Sequence, residues 1–414
     1  MWNYIPFEQA VEICDNLRKP INSKERAARI EGIPTEALYP YYGATGQVGY
    51  INNYLTDGEY VLLGEDGAPF LNPLAKKAYM ISGKSWVNNH AHILRSKRDN
   101  KFLCYYLNYF NYKDYVSGTT RLKLTQAQMK QIKIPDISIE EQHRIVTRIE
   151  ELFSELDKGV ETLQTIKQQL AVYRQAVLKE AFEGKWTYSQ RSSLPQNLHF
   201  KKLQNDENSK LSPIPPEWKY VYLSELGDLS RGKSKHRPRN DEKLFKNGKY
   251  PFFQTGDVKS ANKILIDCEK KYGEFGLAQS KLWPAGTLCI TIAANIAETC
   301  FLGVDGCFPD SIVGFTPFDN IVDKEYIRYF IESSKKRLWA FAPATAQKNI
   351  NLTTLENLII PYCNIDEQKY VVQEIESRLS VCDSIEQTVD TALSQAEAMR
   401  QSILKKAFEG GFSE

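Results

Sequence analysis

The stretch IEEQHRIVTRIEELFSELDKGVETLQTIKQQLAVYRQAVLKEAFEG, Ile139 to Gly184, returns as IDEQKYVVQEIESRLSVCDSIEQTVDTALSQAEAMRQSILKKAFEG, Ile365 to Gly410. The copies align without a gap at a constant offset of 226 and are identical at 19 of 46 positions, so the chain carries an internal repeat. Neither copy contains proline, which leaves nothing to break a long helix. Apolar residues in the first copy fall at Ile145, Ile149, Leu152, Leu156, Leu163, Ile166, Leu170, Tyr173 and Val177, in steps of three and four, with Gly159 and Val160 filling the one gap. The second copy repeats the seam at Val371, Ile375, Cys382, Ile385, Val389, Ala392, Ala396, Met399 and Ile403, with Arg378 as the exception. A period near 3.5 marks a coiled-coil face. About 44 helical residues at ~1.5 Å each make a rod of roughly 65 Å, which cannot bury its stripe alone. The nearest available partner is the other copy.

The repeat extends beyond the helices. LTQAQMKQIKIP precedes the first copy and INLTTLENLIIP the second, setting Pro135 on Pro361 and Leu124 on Ile350 at the same offset. Trp2 and Trp218 open similar strand-like runs, and Tyr39-Pro40-Tyr41-Tyr42 is echoed by Tyr250-Pro251-Phe252-Phe253. Within the first globule, Tyr60–Leu63 and His92–Leu94 read as strands and Lys101–Tyr109 as a helix. The polar, proline-bearing stretch after Gly184, KWTYSQRSSLPQNLHFKKLQNDENSKLSPIPPEW, reads as a linker. The expected order is a globule at 1–137, a helix at 138–185, linker and second globule at 186–364, and a helix at 365–414. The fold class is α+β: two pseudo-symmetric α/β globules separated by an antiparallel coiled coil of two long helices. A plain helical hairpin between unrelated domains would not explain why the globules repeat too.

Composition narrows the function. A net charge of +2 with 42% hydrophobic and 25% charged residues is that of an ordinary globular chain, so any basic surface must be local. Eight cysteines without a C-x-x-C pair, an N-terminal MWNYIPFEQAVEIC without signal-peptide character, and no membrane-length apolar run point to a cytoplasmic protein. One stretch is strongly basic. SRGKSKHRPRNDEKLFKNGK, Ser230 to Lys249, presents Arg231, Lys233, Lys235, Arg237 and Arg239 in a segment kept irregular by glycine and proline. Such a loop suits a phosphate backbone. Gln347, Lys348 and Asn349 before the second helix stand at the positions of Arg121 and Lys123 before the first. Lys84, Asn88, Asn89, Gln254 and Lys259 complete the candidate DNA-binding set. Arginine and lysine can address guanine, and asparagine or glutamine adenine, in the major groove.

Catalytic motifs are lacking. Gly227 to Ser234 matches G-x-x-x-x-G-K-[ST] letter for letter, but that phosphate loop needs a helix beginning at its lysine, and KHRPRND with Pro238 opposes one. Gly43, Gly46 and Gly49 have the wrong spacing for a dinucleotide fingerprint and read as a turn. Glu65-Asp66-Gly67 reads as a turn with solvated carboxylates rather than a metal site, and His90 and His92 as loop or core residues. There is no H-E-x-x-H and no zinc-type cysteine pairing, so neither a catalytic site nor a metal site is expected.

The order of globule, helix, globule, helix, together with Arg174 to Gly184 and Arg400 to Gly410 (RQAVLKEAFEG and RQSILKKAFEG), resembles the specificity subunit of type I restriction–modification systems. The likeness covers the whole chain and includes the closing segment Gln347-Lys348-Asn349-Ile350-Asn351. It implies that the globules are target-recognition domains, each reading half of a split, asymmetric DNA site. The helices would set the unread gap and dock two modification (methyltransferase) subunits, which use S-adenosylmethionine. Restriction (endonuclease and translocase) subunits, with ATP and Mg, would join that core. None of these cofactors is implied to bind this chain, which would be a non-catalytic DNA-binding subunit. A self-sufficient nucleic-acid enzyme and a protein-only coiled-coil scaffold are the competing readings.

Overall fold

The computed structural model describes residues 2–195, 198–203, 211–341 and 349–412. The long helices run Ile139–Phe182 and Ile365–Phe408. Each starts at a polar cap: Ser138 Oγ accepts the Glu141 amide at 3.2 Å, and Asn364 Oδ1 the Glu367 amide at 2.9 Å. Each is followed by a glycine with positive φ, +66° at Gly184 and +87° at Gly410, the backbone that lets a helix end in a left-handed residue. The repeated EG at the end of each copy is therefore a stop signal.

The chain divides into two units: Met1–Ile166 with Gln387–Glu414, and Lys167–Glu386. Each contains one globule and part of both helices. This division cuts through the rods rather than at the sequence boundaries 137/138 and 364/365.

In the first unit, a four-stranded antiparallel sheet runs in the order Val11–Ile13, Ala91–Ser96, Tyr60–Gly64, Ala78–Ile81. Every residue of Tyr60–Gly64 is buried, because this strand has a neighbour on each side and a core on each face. Alternation sorts the side chains: Val61 and Leu63 join the core that includes Phe102 and Leu107, while Tyr60 and Leu62 join one with Ile93 and Val87. The helix Asn100–Tyr109 is capped by Asp99, whose Oδ1 accepts the Phe102 amide at 2.6 Å. Tyr4–Pro6 pairs antiparallel with Lys133–Pro135, closing the globule just before the long helix. A three-stranded sheet orders as Gly46–Ile51, Tyr39–Gly43, Trp86–Val87, the first pair antiparallel and the second parallel.

The second unit repeats the plan. Its sheet orders as Gly227–Arg231, Ile312–Pro317, Leu288–Thr291, Thr299–Leu302, Ile264–Leu265. Leu288 and Ile290 face one core, and Cys289 the other. Asp323 caps the helix Lys324–Ser333, and Lys219–Tyr222 pairs with Ile359–Tyr362 as the closing strands. The linker is not free chain: in its described parts Trp186, Leu194, Leu198, Phe200 and Ile214 pack on this unit's main core, and Thr187 is buried. The polar composition concealed five apolar anchors.

Within each unit the helices run antiparallel. In the first, Ile145 and Ile149 share a core with Leu404 and Phe408, and Arg400 pairs with Asp157. In the second, Leu178 and Phe182 share one with Val371 and Ile375, and Arg174 reaches Asp383 at 2.7 Å and Glu386 at 2.9 Å. The expected seam holds in part. Ile145, Ile149, Leu170, Val371, Ile375 and Val389 are buried, and Leu152, Leu156, Leu163, Ile166 and Ile403 are half-buried. Ile385, Tyr173 and Met399 are a correction, being 40%, 46% and 53% exposed. A true α-helix drifts ~20° per heptad from a 3.5 repeat. The buried set accordingly moves to Leu178, Ala181 and Phe182 in one helix and Leu404, Ala407 and Phe408 in the other.

Candidate nucleic-acid interface

The two globules present their candidate readers on equivalent frameworks. In the first, the residue after the central strand pairs with the terminal loop: Leu124 N donates to Glu65 O at 2.7 Å, and Asp66 forms a bridge with Lys123. In the second, Ile350 N donates to Ile292 O at 2.8 Å, and Ala293 forms a bridge with Asn349. Lys123 and Asn349 thus occupy the same place in the fold, as the offset of 226 in the sequence requires.

In the second globule a cleft of about 400 Å³ opens beside this bridge, lined by Arg231, Arg239, Thr255, Asp310 and Asn349 among others. Arg231 ends the edge strand Gly227–Arg231. Arg239 is held by Asp310 at 2.8 Å. Lys233 and Lys235 are exposed, and the chain between them is anchored by the buried Ser234. Arg237 Nη1 donates to the carbonyls of Ser234 and His236 at 2.6 and 2.9 Å, so it also braces the loop. His236 Nε2 lies 2.8 Å from Asp241; the Lys243 amide and His236 together hold that carboxyl below its ordinary value. Gln254 and Lys259 are exposed at either end of the short helix Thr255–Ser260. Gln347 and Lys348 lie outside the described residues.

The glycine-rich match to a phosphate loop has a different structure. Gly227–Arg231 is a strand at the sheet edge, Lys233 N donates to Phe308 O at 3.0 Å, and no helix begins at Lys233. A Cβ at Gly232 would stand 2.2 Å from the Phe308 carbonyl oxygen, so this glycine serves close backbone packing. Among the described residues, no group of three or more His, Cys, Asp or Glu is placed to hold a metal, and no helix is long and apolar enough to cross a membrane.

In the first globule a groove of about 730 Å³ is lined by Gly43, Val48, Asp66, Asn88, His90 and Arg121 among others. Asn88 is 8% exposed; its Oδ1 accepts the His90 amide at 2.8 Å, so much of its polarity is spent on the turn. Asn89 is exposed. Lys84, also exposed, lies over the Tyr54 ring at 4.8 Å and outside the groove lining. Arg121 Nε meets Asp66 Oδ1 at 2.6 Å, and Lys123 Nζ meets Glu65 Oε1 at 3.4 Å. Beneath them, the buried His92 bridges Asp15 Oδ2 at 2.7 Å and the Leu124 carbonyl at 3.0 Å, and Arg18 joins Glu65 to Asp15. The roles of Glu65 and Asp66 were not visible in the sequence, since their partners are about 55 residues distant along the chain.

The repeated globule with its edge loops and the paired long helices define a duplicated recognition chain. Residues 18–170 and again 215–395 match the family described as type I restriction modification DNA specificity domain, and the chain belongs to that family, the specificity subunits of type I restriction–modification systems. It is 26% identical over 403 residues to a protein described as a type I restriction enzyme specificity subunit of Haemophilus influenzae, covering 95% of this chain and 91% of that one. It is 25% identical to the EcoDI specificity subunit of Escherichia coli, over 91% of this chain and 83% of the relative. Two solved structures share the fold at 16% identity. One is a chain from a study of complex assembly in a type I restriction–modification system, with TM-score 0.66 over 98% of this chain and 97% of that one. The other is the HsdS subunit of Thermoanaerobacter tengcongensis, with TM-score 0.56 over 99% and 97%.

Proposed function

We propose that each globule reads one half of a bipartite, asymmetric double-stranded DNA site, and that the paired helices set the gap and dock two modification subunits. The observation that carries this is the equivalence of Asp66–Lys123 and Ala293–Asn349: the same backbone bridge presents different side chains at the same place in two domains. A duplicated frame with divergent edges suits two different half-sites. Arg231, Lys233 and Lys235 serve phosphate, because among the described residues no carboxylate pairs with them, leaving their full charge for counterion release. Arg239 and Asn349 face the cleft where base edges would enter. The exposed apolar residues Val172, Val381, Ile385 and Met399 offer the helical surface for the modification subunits.

The chain itself is non-catalytic in this reading and works in the cytoplasm. S-adenosylmethionine belongs to the modification subunits, and ATP with Mg to restriction subunits. The test is sequence selection from a random DNA library by the complex assembled with its modification subunits. A two-part motif with a fixed gap is expected. Sequence-independent binding, or methylation and cleavage by the purified chain alone, would contradict the reading.

A further inference from the structure

In the first globule the arginine that lines the groove, Arg121, is already held by a carboxylate. Arg121 is 60% exposed at its side chain, and its Nε lies 2.6 Å from Asp66 Oδ1. The other Asp66 oxygen is 3.5 Å from His90 Nδ1. The two backbones are tied as well, by the Asp66–Lys123 bridge and by Gly67 N donating to Leu122 O at 2.9 Å. Gly67 has φ +78°, and a Cβ there would stand 3.2 Å from Arg121 Nε; glycine lets the guanidinium lie over the turn.

We propose that Asp66 is a positioning residue that sets the Arg121 guanidinium to read one guanine in the half-site of the first domain. This rests on the DNA reading above and deepens it. Guanine offers N7 and O6 as two acceptors in one plane, and arginine meets them with two parallel N–H donors. A guanidinium held through Nε keeps its distal edge free and fixes the plane of that edge. Pairing with Asp66 also cancels much of the charge that a phosphate contact would use, so this arginine is built for geometry rather than for counterion release. Arg231 and Lys233 in the second globule, which no carboxylate among the described residues pairs with, are the contrast. In the second globule Ile292 and Ala293 stand where Glu65 and Asp66 stand in the first, so no carboxylate occupies the place of Asp66 there.

The experiment is library selection by the assembled complex carrying wild-type chain, Arg121→Gln, Asp66→Asn or Asp66→Glu. Arg121→Gln should abolish a guanine preference at one position. Asp66→Asn should weaken the same preference by roughly tenfold, leaving other positions and the second half-site intact, and Asp66→Glu should restore part of it. An intact second half-site shows that each variant is folded and assembled. If Asp66→Asn leaves the guanine preference unchanged, or loosens every position of the first half-site alike, the pair is only a loop brace and the inference is overturned. If the wild-type complex selects no sequence, the DNA reading itself fails.

Discussion

Phe408 rests edge-on against Phe102, their ring centroids 5.3 Å apart. The contact joins the end of the second long helix to the Asn100–Tyr109 helix of the first domain. Phe182, at the same place in the repeat, meets Tyr326 at 5.1 Å and Phe330 at 5.0 Å in the second domain. Each domain is thus completed by the helix of the other copy. Neither copy of the repeat forms its own core alone.

Phe408→Ala should therefore destabilise the first unit although it lies about 300 residues from the core it fills. At 3% exposure the loss should be about 3–5 kcal/mol, the range for removing a buried phenyl ring. Denaturant unfolding followed by hydrogen exchange would show early exchange in Asn100–Tyr109. Protection in Lys324–Ser333 should be retained, and Phe182→Ala should give the converse pattern. Equal loss in both helices would contradict this division.

Lys233→Ala should weaken DNA binding of the assembled complex for all sequences alike. Its salt dependence should flatten by up to about one unit of log–log slope, as expected for one lost phosphate contact. A base-specific change at one position, measured by competition with single-base variants of the site, would instead make Lys233 a reader.

Asp15 gives a pH prediction. Burial alone would raise its carboxyl; the hydrogen bond and charge of His92, the Ile93 amide and Arg18 outweigh that and hold it below its ordinary value. A depressed carboxyl stabilises the fold above the unfolded value of ~3.9, and the contribution is lost as pH falls through the folded value. Asp15→Asn should cost stability at neutral pH, and the difference from wild type should shrink as the medium is acidified below pH ~4. A difference independent of pH in urea unfolding would show that the charge of Asp15 is immaterial.

The repeat and the extents of the long helices were legible because they depend on neighbours in sequence; the caps at Ser138 and Asn364 emerge only from the structure. The seam was legible near Ile145 and Val371, where a strict 3.5 period and a real helix still agree. It failed at Ile385, where Arg174 clamps the helices through Asp383 and Glu386, and at Met399, beside the Arg400–Asp157 pair, where charge joins the helices instead. The candidate site was half legible. Arg121 and Lys123 stood out as cations, but Asp66 and Glu65 read as a solvated turn, since nothing local marks a carboxylate as the partner of a distant loop. The linker misled for a related reason: Trp186 and Phe200 are isolated apolar residues in polar surroundings, and only the folded core shows where they go.

The helices offer a test of spacing. Asp157 faces Arg400, so a heptad inserted at Gly159 is matched by one inserted beside Glu397. Seven residues add roughly 10.5 Å, or about three base pairs at ~3.4 Å each. The half-sites should stay the same while the selected gap lengthens by about that much. Binding should weaken, because three base pairs turn the DNA by around 100° and a coiled coil of that length turns only about 25°. A variant that assembles and still selects the original gap would show that the helices do not set it.

The most direct test of the two-domain reading is a hybrid chain in which residues 216–364 are replaced by the matching domain of a relative with a different known site. Methylome sequencing of cells carrying the hybrid and its modification subunits reads the result. One half-site should change to that of the relative while the other half-site and the gap are kept. A change in both half-sites together, or in neither, would contradict it.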